Sequence, residues 1–176
     1  MKVSLFLISA LSLSAATMAH AYEVDRAHNR VLLESVEDFE RCQDELGYAD
    51  VCVDALKRYV KTKPKAGFAA GKAVRARFNH WVALQFFVPT LTKATAEASC
   101  GDEDLRMAVL SGLALPTSDP SQTLAAKAAT GVCAAKLQPH IKSGFADGGA
   151  YYHDNACAVL TKLHAAPAEC GPEAAH

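Results

Sequence analysis

The chain has 176 residues, 51 % of them apolar and 21 % charged, with a formal net charge of −1. An apolar share of that size supports a packed core, which excludes both a disordered chain and a mini-protein held mainly by disulfides. Near-neutrality argues against a dedicated nucleic-acid binder, whose domains are strongly basic.

The N-terminus carries a positive Lys2, an apolar run over residues 3–13 extended by Ala15 and Ala16, and a small-x-small site at Ala19-His20-Ala21. That order predicts a signal peptide over residues 1–21, cleaved after Ala21. The run is too short for a comfortable membrane span, and Tyr22 rather than Cys follows the cut, which removes a lipid-anchor signal. The mature chain, residues 22–176, is then exported to a periplasm or to the outside of the cell. It holds 29 alanines, the best helix former, and no apolar run long enough to cross a membrane.

Residues 29–34 fit either a helix start or a short strand. Ser35 and Asp38 form a capping-box pattern ahead of a helix over 36–46, which Gly47 stops. A second helix is expected over 48–61, with Val51, Ala55 and Tyr59 at helical spacing. Pro64 suits the first turn of a long helix over 65–88, ended or kinked by Pro89. Two apolar stripes on it, one through Val74, Phe78 and Trp81 or Val82, the other through Ala73, His80, Leu84 and Phe87, make 81–91 the central core segment.

Cys100-Gly101 breaks the chain. Asp102, Glu103 and Asp104 then open a helix that ends near Leu115-Pro116. Ser118 or Asp119 caps an Ala-rich helix over 121–136, Pro139 interrupts the next stretch of chain, and Gly144, Gly148 and Gly149 mark loops. A last helix over 150–164 leads to a short tail from about 165. The expectation is an all-α fold: a single disulfide-stapled domain of about five or six helices.

All six cysteines lie in the mature chain, an even count that in an exported protein predicts a disulfide framework with fifteen possible pairings. Cys42 and Cys52 each stand five residues from Gly47, so helices folding back there bring them side by side. Cys100 and Cys133 sit on successive helices, and Cys157–Cys170 is then left by elimination. The spacings of redox dithiol, zinc-ribbon and covalent haem motifs are absent, as is any paired metal-ligand spacing of His. No cofactor is expected.

The small net charge hides a segregation. Residues 22–54 carry ten acids and three bases, residues 55–96 nine bases and no acid, and residues 97–176 nine acids and five bases. Lys61, Lys63, Lys65, Lys72 and Arg75 are the candidate ligand-binding residues, placed around a helix start whose free amides offer an anion a seat. The competing expectation is internal pairing of this segment with its acidic neighbours. Gly67 to Ala73 imitates a phosphate loop but lacks one residue and the metal-binding hydroxyl.

His153-Asp154 beside Cys157 resembles the active-site helix of secreted phospholipases A2, which implies a water-activating His153 and a calcium-holding Asp154; the glycine-rich calcium loop of that family is missing here. The order of helices and the placement of Cys42, Cys52, Cys100 and Cys133 are similar to plant invertase and pectin-methylesterase inhibitors, secreted helical bundles. This chain adds Cys157 and Cys170. The leading expectation is an exported non-enzymatic binding protein, an inhibitor, immunity-type or accessory factor that engages a protein or anionic ligand. A lipolytic hydrolase using His153 and Asp154 is the first alternative, and a carrier of a small apolar or metal ligand near Phe78 to Phe87 is the second.

Overall fold

A computed structural model describes residues 22–25, 30–47 and 50–171; the signal peptide expected over 1–21 lies outside them. The chain opens with a β-hairpin, β1 (Tyr22–Asp25) antiparallel to β2 (Arg30–Leu33), with Tyr22 opposite Leu33 and Asp25 opposite Arg30. The open choice over 29–34 thus resolves to a strand. Val31 buries its side chain, and its carbonyl accepts from Arg58 Nη2 at 3.2 Å, which ties the hairpin to the second helix.

Helix α1 (Glu37–Leu46) starts on the expected reciprocal cap. Asp38 N–H donates to Ser35 Oγ at 3.2 Å, while the Asp38 carboxylate accepts from the amides of Ser35 at 2.8 Å and Glu34 at 3.0 Å. Gly47 stops α1 at φ +69°, a left-handed value that costs glycine nothing. Helix α2 (Asp50–Thr62) folds back on α1, and Cys42–Cys52 bridges the pair with Cα atoms 6.0 Å apart.

The long helix expected over 65–88 does not form as one rod. A 3₁₀ turn at Pro64–Ala66 leads into α3 (Gly67–Arg77), the chain is extended at Phe78 and Asn79, and α4 (His80–Phe87) starts afresh. The break lets the apolar second half fold back on the first. A Cβ on Gly71 would lie 2.5 Å from the Phe87 ring, so α3 and α4 touch there only because residue 71 has no side chain. Phe78, at the break, packs on Phe39 of α1 with ring centroids 6.3 Å apart. Tertiary packing here overrides local periodicity, helped by Asn79, a poor residue for a helix interior.

A second 3₁₀ turn at Val88–Thr90 and a loop lead to the short α5 (Ala96–Ser99) and then α6 (Glu103–Leu113). Asp102 caps α6, its Oδ1 accepting from the amides of Asp104 at 2.9 Å and Leu105 at 3.4 Å. Asp119 caps only the turn Pro120–Gln122; the Ala-rich segment is capped by Thr123 and divided at Gly131 into α7 (Leu124–Thr130) and α8 (Ala134–Ser143). Pro139 lies inside α8, on an exposed position, and does not interrupt it. Helix α9 (Gly149–Lys162) closes the fold, and the Ala168–Cys170 turn is tied to it by Cys157–Cys170.

The fold is all-α and disulfide-stapled. Among the described residues it has nine α-helices rather than five or six, because two expected helices each divide and the short α5 was not expected. α4 packs on both α3 and α6, and α9 closes over α6, α7 and α8. Phe39, Leu56, Val74, Phe86, Phe87, Leu105, Val109, Leu137, Ile141 and Leu160 are fully buried in one cluster. Buried Asn155 of α9 donates to the carbonyls of Leu113 at 2.7 Å and Leu115 at 2.8 Å, satisfying the open end of α6. Among the described residues no helix is long and apolar enough to cross a membrane.

Candidate functional site

The five basic candidates divide by their partners: Lys72 and Arg75 are ion-paired, and among the described residues Lys61, Lys63 and Lys65 are not. Helix α3 carries Lys72 and Arg75 at i, i+3, facing the acidic first turn of α6. Lys72 Nζ lies 2.8 Å from Asp102 Oδ2 and 3.8 Å from Asp104 Oδ2, and Arg75 Nε lies 3.0 Å from Asp104 Oδ1. The Arg75 N–H is not aimed along that contact, so this is an ion pair without a hydrogen bond. Arg77 pairs with Asp44 of α1, and Lys57 with Asp54 one turn away. Acids from both flanking segments therefore pair with four of the nine bases in the acid-free stretch, Lys57, Lys72, Arg75 and Arg77.

The Asp102 carboxyl shows how tight this junction is. Partial burial pushes its pKa up, but the Lys72 hydrogen bond, the amides of Leu105 and Asp104 and the Lys72 charge outweigh that and hold it below the ordinary value. Lys72 is raised in turn, first by its hydrogen bond to Asp102 and then by that carboxylate's charge.

Lys61, Lys63 and Lys65 stand apart from this network. They occupy the end of α2 and the Pro64–Ala66 turn, all exposed. Lys63 reaches the Glu34 carbonyl at 3.4 Å and lies over the Tyr59 ring, 5.0 Å from its centroid. Among the described residues none of the three meets a carboxylate. The helix start itself is a poorer anion seat than its sequence suggested. Pro64 has no N–H, and the amides of Ala66 and Gly67 are spent on the carbonyls of Lys63 and Pro64.

Beside this ridge the fold-back of α4 opens a cleft of about 400 Å³, lined by Pro64, Lys65, Phe68, Pro89, Thr90, Thr92, Thr95 and Ser99. The two 3₁₀ turns form its rims. They approach so closely that a Cβ on Gly67 would sit 2.3 Å from Thr90 Cγ2. Thr90 Oγ1 donates to the Phe87 carbonyl at 2.8 Å, and Thr95 Oγ1 bonds to the Thr90 and Thr92 backbone. Ser99 is 7 % exposed, and its hydroxyl has no hydrogen-bond partner among the described residues. Sequence reasoning found Lys65 but missed Phe68, Pro89 and Ser99, which only the break at Phe78-Asn79 brings together.

A smaller groove of about 210 Å³ runs along Trp81, Leu84, Leu115, Pro116 and Leu124. Trp81, expected in the core, is 41 % exposed on its edge. The groove's threonines are already spent: Thr117 Oγ1 accepts from the Asp119 amide, and Thr123 Oγ1 caps α7. His80 is half-buried, with Nδ1 3.2 Å from Ser111 Oγ. Phe86 and Phe87, in the region expected to suit a carrier, are packed without exposure.

His153 and Asp154 lie on α9 with Nδ1 and Oδ1 3.9 Å apart, beyond hydrogen-bond reach. The His153 ring sits edge-on to Phe145 at 5.1 Å, and its Nδ1 lies 3.9 Å from Cys157 Sγ, which is held in a disulfide. Among the described residues no three His, Cys, Asp or Glu side chains converge to hold a metal ion.

Neither protein-family models, nor curated proteins, nor solved structures give a match to this chain. The likeness to the plant inhibitors therefore stays one of cysteine placement and helix order.

Proposed function

We propose that this chain is an exported, non-enzymatic binding protein that docks an acidic partner on the ridge formed by Lys61, Lys63 and Lys65. One observation carries the reading. These three charges, within five residues, have no carboxylate partner among the described residues, while Lys57, Lys72, Arg75 and Arg77 beside them are all ion-paired. A charge already satisfied inside the fold gains little from a partner, whereas an exposed, unanswered cluster steers and orients one. Three disulfides fit an oxidising compartment, which supports export. Lys72 and Arg75, part of the candidate set in sequence, have no place on this ridge.

Retention on an immobilised sulfated glycan at low salt tests the reading. The variant with Lys61→Glu, Lys63→Glu and Lys65→Glu elutes at much lower salt than the parent. A control with Lys127→Glu, Lys136→Glu and Lys142→Glu, exposed residues of α7 and α8, changes net charge equally and retains binding. Equal loss in both triple variants reduces the ridge to an effect of net charge and sinks the proposal. A hydrolase built on His153 and Asp154 has no comparable support, because the two groups are not hydrogen-bonded and neither lines the cleft.

A further inference from the structure

We propose that the cleft between the Pro64–Ala66 and Val88–Thr90 turns is a binding site for a small molecule with an apolar body and a single carboxylate. The assignment stands on the cleft's own chemistry and does not depend on the acidic partner proposed for the ridge.

Its volume of about 400 Å³ falls in the range of small-molecule sites, which are mostly apolar with a few placed polar groups. Phe68, Pro64 and Pro89 supply the apolar walls. The Phe68 ring is itself fixed against the fully buried Phe87, with centroids 4.9 Å apart, so this wall is anchored in the core. Each rim carries a proline, whose ring restricts the backbone, and the loop between Thr90 and Thr95 is knitted by its own hydroxyl bonds. The site is formed before any ligand arrives, which lowers the cost of binding.

Two polar groups remain uncommitted. The Lys65 ammonium has no partner among the described residues, and neither has the Ser99 hydroxyl, although Ser99 is more than nine-tenths buried. In a helix a serine hydroxyl can turn back to a carbonyl one turn before it. Ser99 lines the cleft and forgoes that bond, so it has a donor to give to a ligand oxygen. Lys65 supplies the opposite charge. One ammonium and one hydroxyl match a carboxylate's single charge and two oxygens. A phosphate, with more charge and a third acceptor, would be left under-satisfied among apolar walls.

Isothermal titration of the intact, disulfide-bonded chain with octanoate, octan-1-ol and acetate tests this. Octanoate saturates at one site per chain, octan-1-ol binds several-fold more weakly, and acetate gives no saturation. Lys65→Met weakens octanoate about fivefold, the scale of one exposed ion contact, and Ser99→Ala weakens it about tenfold, the scale of one lost hydrogen bond to a charged group. Lys65 is exposed, so its variant keeps the fold and gives a clean comparison even if Ser99→Ala destabilises the chain. Absence of octanoate saturation at millimolar concentration overturns the site. Equal affinity for octan-1-ol, or unchanged affinity in Lys65→Met, overturns the carboxylate assignment.

Discussion

The carboxylate of Asp102 accepts from the amides of Asp104 and Leu105 and from the Lys72 ammonium, serving at once as helix cap and as the electrostatic tie between α6 and α3. Its lowered pKa fixes the sign of its contribution to stability. Since the unfolded carboxyl titrates near ~3.9, the unfolded state takes up the proton first as the solution acidifies. The contribution is complete above that value and is lost as pH falls through the lower folded pKa. Lys72, raised, behaves inversely: its contribution holds below the ordinary lysine value and disappears as pH rises through the folded one. Asp102→Asn separates the two roles, because Asn caps as well as Asp. The variant loses about 0.5–1 kcal/mol at neutral pH, for the ion pair and the helix dipole, and shows a flatter acid limb. Denaturant melts at pH 3 and pH 7 measure both; an unchanged acid limb refutes the assignment.

At the scale of elements, the reach of sequence reasoning depends on whether a boundary is set locally. The starts of α1 and α6 were legible because Ser35, Asp38 and Asp102 satisfy amides within three or four residues of themselves. The Gly47 stop and the Cys42–Cys52 bridge were legible from equal spacing about one turn. The break between α3 and α4 was not legible, since apolar periodicity runs straight through Phe78-Asn79. What breaks it is distant: Phe39 receives Phe78, and the bare backbone at Gly71 receives Phe87. The same break assembles the cleft, which explains why Lys65 could be read from sequence while Ser99 and Pro89 could not. Gly71→Ala tests this dependence. It forces a methyl against the Phe87 ring and destabilises by about 1–3 kcal/mol, the range for overpacked cores, whereas an alanine at Gly101, where a Cβ meets nothing, has little effect. Equilibrium urea unfolding compares the two.

For the whole molecule, the charge segregation that looks like a surface in sequence is in part internal: Arg77 ties α3 to α1, and Lys72 and Arg75 tie it to α6. Lys61, Lys63 and Lys65 are the three that cluster within five residues, exposed and without carboxylates among the described residues. The disulfides add to that frame unequally. Cys100–Cys133 spans 33 residues, against 10 for Cys42–Cys52 and 13 for Cys157–Cys170. By loop-closure entropy, removing the longest bridge with paired Cys→Ala substitutions costs about 1 kcal/mol more than removing the shortest. Thermal unfolding of the two double variants reads the difference, and the reverse order would show that strain or residual unfolded structure dominates.

The three bridges succeed one another along the chain without nesting or crossing: Cys42 to Cys52, Cys100 to Cys133, Cys157 to Cys170. Of the fifteen pairings open to six cysteines, this is the one reached when each odd-numbered thiol simply takes the next to emerge. A chain oxidised in order from its N-terminus would reach this set by successive pairing, without reshuffling an earlier bond.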